Sequence, residues 1–307
     1  MAAERFRLWM GWIAIALSTL VMCFWAFWGA AEAFHEGWYD RSLWRNLGLT
    51  FIQYLSPSLV ILLPVAIALR WRRVALPLFL ALGIAVGLFF GKGVGVWQLA
   101  VPLGLFGALF HFGRPEPRKW AWRAILILPG LTAIVTGAVP GYRAITRLDD
   151  GNYAARLVEG NGVQLVWAPE GPGWGERHAT WEEAADRCAH LAPDGRALSP
   201  TPVGIWRLPT VDEAVRSMVR RGRNAGGTWD PKRRKATYRV WPEKESPLWR
   251  RYSPVIYWWT ATEDGPERSY RIAFNGYVIS ALRRGWGAYW AYRCVCRPEQ
   301  FPGQPVR

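Results

Sequence analysis

Hydrophobic and polar positions divide this chain of 307 residues into two unlike halves. Five apolar stretches, about 8–30, 48–69, 74–90, 94–112 and 124–140, fill most of the first 141 residues. Each approaches the roughly 20 residues that a helix needs to cross about 30 Å of hydrocarbon, so the pattern predicts a transmembrane domain of about five helices over 1–141. The third and fifth stretches are short, which leaves a four-helix arrangement open. The first is read as a retained helix and not as a cleaved signal peptide. Its apolar run exceeds the roughly 7 to 15 residues of such a region, and no small-residue cleavage site precedes further membrane sequence. Beyond Pro140-Gly141 the polar segment 142–162 reads as a linker, and 163–307 as a folded head.

Within the head, Gln164 to Ala168 reads as a strand, followed by a Gly/Pro-rich loop. Thr180 and Glu183 have the spacing of a capping box, and Trp181, Ala184, Ala185, Cys188 and Leu191 recur at helical spacing behind them, which turns Cys188 toward the core. Thr210 and Glu213 repeat the device after Pro209, with Val211, Ala214, Val215, Met218 and Val219 as the apolar face. From Trp258 the period changes. Tyr270, Ile272 and Phe274 alternate with Ser269, Arg271 and Ala273, and Asn275-Gly276 is a two-residue hairpin signal with Tyr277 to Leu282 returning antiparallel. Tyr289 to Cys296 reads as a last strand with Trp290, Tyr292, Cys294 and Cys296 on one face. A small sheet with two helices is an α+β domain.

Charge orients the bundle. Residues 1–141 hold 12 of the 38 basic and 5 of the 23 acidic side chains. The basic ones gather at Arg5 and Arg7, at Arg70, Arg72 and Arg73, and at Arg114, Arg118, Lys119 and Arg123. The first connection mixes Glu32, Glu36 and Asp40 with Arg41 and Arg45, and the third has only Lys92. The positive-inside rule makes the first set cytoplasmic, so five crossings leave the N-terminus inside and the head outside a cell membrane. The net charge of +15 includes Lys232, Arg233, Arg234 and Lys235, a run read as a solvated loop, with polyanion binding as the lesser alternative. An outward-facing head makes nucleic acid an unsuitable partner.

Inside the bundle, Gly83, Gly87 and Gly91 form a small-residue stripe suited to close helix packing. Pro57 and Pro64 are candidate kinks. Glu32 and His35 have the spacing of a carboxylate-bridged metal site, but no second copy occurs and no metal is expected. No apolar stretch carries an ionisable group near its centre, which argues against a proton or ion pathway.

Four phrases of the head belong together: Thr180-Trp-Glu-Glu-Ala-Ala-Asp-Arg-Cys188, Trp206-Arg-Leu-Pro-Thr-Val-Asp-Glu-Ala214, Trp258-Trp-Thr-Ala-Thr-Glu263 and Tyr292-Arg-Cys-Val295. Over about 160–298 they resemble the Lcl C-terminal domain family of the C-type lectin-like superfamily, which also contains the formylglycine-generating sulfatase-modifying proteins. The resemblance implies a C-type lectin-like head in which Cys188 and Cys294 are natural disulfide partners, with Cys296 on the same strand face as the competitor. Such a bond belongs outside the cytoplasm, in agreement with the charge argument. Cys23 is read as an unpaired apolar side chain in the membrane.

The chemistry of the sulfatase-modifying branch does not transfer by motif. Cys294-x-Cys296 has the wrong spacing for its reactive pair, and the acidic Arg-Leu-Pro-Thr-Glu-Ala-Glu-Trp turn reads Arg207-Leu-Pro-Thr-Val-Asp-Glu-Ala214 here. The loops used by calcium-dependent sugar-binding members are missing as well, so no cofactor is expected and calcium lacks a motif. His178 and His190 have no nucleophile or acid at catalytic spacing. The expected role is binding, through Trp258, Trp259, Arg283, Arg284, Trp286, Tyr289 and Trp290, of an extracytoplasmic ligand or membrane-protein partner. An accessory subunit of a larger membrane complex and a diverged oxidase are the alternatives.

Overall fold

The computed structural model describes residues 1–90 and 95–306; Gly91 and Lys92 lie outside the described residues. The chain forms two compact units, Met1–Trp38 with Ser42–Gly141, and Tyr39–Arg41 with Tyr142 onward. The first is helical and the second rich in sheet.

Helix α1 (Ala2–His35) has 34 residues and so extends about 51 Å. Its inner face is small, with Ala14, Ser18, Ala26, Gly29, Ala30 and Ala33 buried, while Leu20, Phe24, Phe27 and Trp28 point outward. A Cβ on Gly29 would overlap the Tyr54 carbonyl, and one on Gly11 the backbone at Pro115. Small residues thus set the backbone separation.

The second apolar run is broken rather than a single helix over 48–69. Helix α2 (Leu43–Leu49) passes into a π-helical turn, Thr50–Tyr54, and then into α3 (Ser56–Arg70), with a bend of 62° between the two arms. Pro57 sits in the first turn of α3 and has no N–H to return to the turn before it, whereas Pro64 is carried inside α3.

Helices α4 (Arg72–Phe90) and α5 (Val96–Phe112) pack antiparallel. Gly87 meets Val96, Leu80 meets Gly104, and Phe79 and Ala75 meet Gly107. Gly83 and Gly87 are both buried, so the described part of the glycine stripe packs helices. Helix α6 (Arg118–Ile145) sets Gly137 and Gly141 against Phe34 of α1. By length and apolarity, three helices among the described residues suit a membrane crossing, α1, α4 and α6, with the bent α2–α3 pair as a fourth if it is one span. With 17 residues, α5 reaches about 25 Å. The Arg114 N–H donates to the Arg7 carbonyl at 2.8 Å, which brings two of the basic segments together at one end of the bundle.

The head begins with a hairpin of β1 (Arg156–Gly160) and β2 (Val163–Trp167). Its turn residues Asn161 and Gly162 have φ of +54° and +80°, the left-handed pair that a type I′ turn requires. The segment expected to be a linker over 142–162 is therefore part of the fold in its second half. Asn275-Gly276 behaves differently. Val278 pairs with Ile272, and the Ala273 N–H donates to the Tyr277 carbonyl, so three residues close the loop and Gly276 alone takes positive φ.

Strand β3 (Trp174–Ala179) leads into α7 (Trp181–Ala189) and later α8 (Val211–Ser217). Both capping boxes form: Thr180 and Thr210 accept from the Glu183 and Glu213 N–H groups, and each carboxylate accepts from the capping residue's own N–H. Helix α8 stops at Ser217, short of the expected Val219. Met218 turns extended, and β4 (Val219–Arg220) folds back on β5 (Arg223–Asn224). The basic run from Lys232 is the exposed turn between β6 (Thr228–Asp230) and β7 (Lys235–Thr237), where Asp230 accepts from the Lys232 and Arg233 N–H groups.

The main sheet follows: β8 (Tyr257–Glu263), β9 (Arg268–Ala273), β10 (Val278–Leu282) and β11 (Trp290–Arg293) join β3 in the order β10-β9-β8-β11-β3. Only β8 and β11 run parallel. The strand expected over Tyr289–Cys296 changes sheets at Cys294, because β12 (Val295–Cys296) pairs with β2 and completes a second sheet, β1-β2-β12. Val306 bonds through both its backbone groups to Ala155 and Leu157, beside β1.

Both faces of the main sheet are covered. Trp258, Tyr270, Ile272, Phe274 and Ala291 meet Val211, Ala214 and Val215 of α8. Trp259, Ala281 and Tyr292 meet Ala184 and Cys188 of α7 together with Trp206 and Leu208. The Trp-Arg-Leu-Pro-Thr phrase ties these layers: Arg207 exchanges two backbone hydrogen bonds with Val295, and the Pro209 carbonyl accepts from the Ala261 N–H.

Arg207 grips Glu213 with both arms of its fork, at 2.6 and 2.7 Å. Burial pushes the Glu213 carboxyl upward, and the hydrogen bonds from Arg207 and Thr210 outweigh it, leaving the pKa below the ordinary value. Such a carboxyl adds stability that is present above its unfolded pKa of about 4.3 and is lost as pH falls through the folded value. Glu213→Gln is expected to cost about 1–2 kcal/mol at neutral pH, with the difference from wild type closing below about pH 4 in urea titrations. A difference that persists undiminished to pH 3 refutes this account of the cap.

Candidate functional site

Strand order decides which aromatic and basic side chains reach the surface. In the middle of β8, Trp258 stacks on Trp249 with centroids 3.6 Å apart, and Trp259 donates its Nε1–H to the Ala179 carbonyl at 2.9 Å. Both rings are buried, so these two residues leave the expected ligand surface and serve as core. Thr260 Oγ1, between strands, donates to the Tyr270 carbonyl, and the Thr260 carbonyl accepts from Trp181 Nε1.

Of the other expected residues, Arg283 and Arg284 lie against α7, and Trp286, Tyr289 and Trp290 follow them in the chain. Arg283 lies over the Trp181 ring at 4.3 Å, donates to Ser269 Oγ and pairs with Glu263 at 2.8 Å. Arg284 is exposed and pairs with Glu182 at 3.0 Å. Trp286 is fully exposed between Gly285 and Gly287, which both take positive φ, and Tyr289 is half-exposed. Trp290 is partly buried against the α7-side core.

Two further residues complete this surface, Tyr257 and Arg271. The Arg271 guanidinium carbon lies 3.6 Å from the centroid of the Trp290 ring and 3.9 Å from that of Tyr257. Three strands make this cage. Arg271 pairs in register with Trp259 of β8, Tyr257 comes two residues earlier, and Trp290 comes from the parallel neighbour β11. The α7 helix packs over Trp259 and Tyr292, whereas Arg271 keeps a partly exposed position. Burial lowers the guanidinium pKa, and the nearby Tyr257 acts in the opposite sense. No carboxylate among the described residues pairs with Arg271, and its Nε and Nη1 atoms are buried without a hydrogen-bond acceptor. Sequence alternation puts Arg271 on the more polar side of β9, but the strand pairing that brings two rings to it is long-range.

The remaining chemistry is quiet. His178 is exposed on β3, and His190 Nδ1 sits 3.0 Å from the Asp186 carbonyl. No group of three or more His, Cys, Asp or Glu side chains that could hold a metal ion occurs among the described residues. Cys188 and Cys294 are joined in a disulfide whose Cα atoms are 5.6 Å apart, which decides the pairing against Cys296. Closing a loop of 106 residues gives a stabilisation of about 4–5 kcal/mol in the chain-entropy account. Cys296 is buried and free, and burial pushes its thiol up to about 12. Cys23 is free and partly buried.

Comparisons of the chain with protein-family models, with curated proteins and with solved structures found no match.

Thiolate is the reactive form of cysteine, so a thiol with so high a pKa resists alkylation. Peptide mapping of unreduced protein is expected to recover the Cys188–Cys294 cross-link, with Cys296 unlabelled by iodoacetamide at pH 8 until the chain is unfolded. Rapid labelling of Cys296 in the folded protein is the contrary result.

Proposed function

We propose that this chain is a multi-pass membrane protein whose C-terminal head, of C-type lectin-like type and facing the exterior, binds a ligand or partner protein and is not catalytic. One observation carries the reading. Trp286 stands fully exposed on a glycine-flanked loop, with Arg284 and half-exposed Tyr289 beside it in the chain. Among the described residues the head's other exposed tryptophan, Trp241, is stacked on Tyr277. A large rigid ring, left in water beside cationic and aromatic neighbours, is the composition of a binding surface.

The capping boxes, the Arg207-to-Val295 pairing and the Cys188–Cys294 bond accord with the Lcl-type resemblance. The exterior location is supported by that bond and by the charge distribution. Packing adds an argument from parity. As an antiparallel pair, α4 and α5 start and finish on one side whether both cross or neither does, so three and five crossings place the head alike. Only the bent α2–α3 pair changes the outcome, and the five-crossing form counts it as one span. Against the oxidase alternative stand the bridged Cys294 and the buried thiol of Cys296. The outward apolar faces of the helices are what lipid contact alone requires, and they do not favour a subunit of a larger complex.

Two measurements on cells expressing the full chain test the reading. Thr201→Cys, at an exposed loop position, is expected to react with a membrane-impermeant maleimide without lysis; labelling only after lysis sinks the exterior placement. A photo-crosslinking side chain at Trp286 is expected to give a discrete adduct that the same group at Lys232 does not. Absence of any adduct specific to position 286 sinks the binding role.

A further inference from the structure

We propose that the head rests on the membrane through the face around the end of α6, where Trp241 and Tyr277 lie among the lipid headgroups and Arg221, Arg223 and Arg239 take the phosphates of anionic phospholipid. This rests on the reading that α6 crosses the membrane, and it is independent of what the Trp286 loop binds. The groups concerned all belong to the sheet-rich unit, which takes in the chain from Tyr142 onward. Counted from Ala124 of α6, the roughly 20 residues that cover about 30 Å of hydrocarbon end near Arg143, so the last turn of the helix stands in the headgroup layer.

Contacts just beyond that turn bring the rest of the face to it. Arg147, two residues past the end of α6, is buried between the Glu243 carboxylate at 3.0 Å and the Phe274 ring at 5.3 Å. Trp241 precedes Glu243 by two residues and Tyr277 follows Phe274 by three, and their rings stack with centroids 5.8 Å apart. Arg220 donates to Thr146 Oγ1 at 3.0 Å and Arg221 to the Tyr142 hydroxyl at 2.9 Å, which sets the β4–β5 turn beside the same turn of helix. The Arg239 and Val240 N–H groups both donate to the Ala225 carbonyl, just past β5, and so join the two groups of contacts.

What remains in water on this face is apolar and cationic together. Tyr142, Ile145, Leu148, Val240, Trp241 and Tyr277 are exposed. The carboxylates nearby are committed: Glu243 to Arg147, Glu245 to Arg220 and to the Leu148 and Arg221 N–H groups, and Asp150 to Arg156. Arg221, Arg223 and Arg239 are exposed and have no carboxylate partner among the described residues. Indole and phenol rings favour the boundary between hydrocarbon and water, and a guanidinium fork pairs with phosphate through two parallel hydrogen bonds. Three uncommitted guanidiniums favour a lipid of net negative charge over a zwitterionic one.

The test uses the full chain, with Cys23→Ser, in nanodiscs of phosphatidylcholine alone or mixed with phosphatidylglycerol, and a bimane fluorophore on one introduced cysteine. With headgroup-nitroxide lipid as quencher, Val240→Cys is expected to be quenched about twofold or more over Thr201→Cys in the mixed lipid, and the excess to shrink in phosphatidylcholine alone and in high salt. Arg221→Gln, Arg223→Gln and Arg239→Gln together are expected to abolish the difference between the two lipids with the Cys188–Cys294 bond intact. Inorganic phosphate at matched ionic strength is expected to leave the quenching in place. Equal quenching at 240 and 201, equal quenching in both lipids, a lipid difference that survives the triple substitution, or release by phosphate each overturns the proposal. Ile134→Cys, exposed near the middle of α6, reports the crossing itself through acyl-chain nitroxide. Quenching at 134 without quenching at 240 removes the proposal alone, and no quenching at 134 removes the crossing of α6 and the proposal with it.

Discussion

At Cys294 one strand leaves the main sheet and begins pairing in the other, and the head is organised around that crossing. The residue before it, Arg293, is fully buried. It donates to the carbonyls of Ala168, Pro247 and Leu248, and its guanidinium lies 3.4 Å from the centroid of the Trp174 ring. Burial pulls its pKa well down from the ordinary value, with Arg156 and Arg250 acting the same way, so these contacts oppose a large desolvation cost. Cys294 itself accepts from the Ala168 N–H, donates to Gly173 and carries the disulfide to α7. Sheet, loop and helix are therefore fixed within two residues of one another. The contact between Trp290 and Arg271 depends on this point, because it spans β8 and needs β11 on the far side of that strand.

Local signals were the legible ones. Each capping box needs only a residue and its third neighbour, and both helices start where Thr180 and Thr210 predict. Stop signals were less legible: Met218 has good helical periodicity, but its backbone turns extended to begin the β4–β5 hairpin. Of two Asn-Gly pairs, the one at 275–276 lies between alternating residues and reads as the tight turn. The tight turn is at Asn161-Gly162, in a stretch whose polarity suggested a linker. The Cys188–Cys294 pairing was legible by family resemblance, whereas the switch of sheets at Cys294 was not, since a strand's sequence does not say which neighbour it pairs with.

The candidate surface shows the same limit more sharply. Aromatic residues are large enough to serve as core or as contact surface, and composition does not separate the two roles. Trp258 and Trp259 lie next to each other on the central strand, so one faces α8 and the other α7, and both are covered. Trp286 escapes because its loop projects beyond the paired strands. In the sequence Arg271 is one arginine among many; its distinction is that its neighbours across the strands are rings where Arg283 and Arg284 have carboxylates. In the helical unit the roles of residue size are reversed: glycines and alanines set the contacts, and the bulky residues of α1 face outward.

The pairing of Val306 beside β1 has a topological consequence. The strand that opens the head and the segment that closes it are neighbours, tied by the Leu157 N–H to the Val306 carbonyl and the Val306 N–H to the Ala155 carbonyl. What would be a bare strand edge is thereby partly covered against pairing with another chain. The head is closed on itself in the manner of a ring with a clasp. A ring of this kind can be cut at a distant exposed loop and rejoined at the clasp with its strand order kept, so its architecture does not depend on the direction from which the chain arrives.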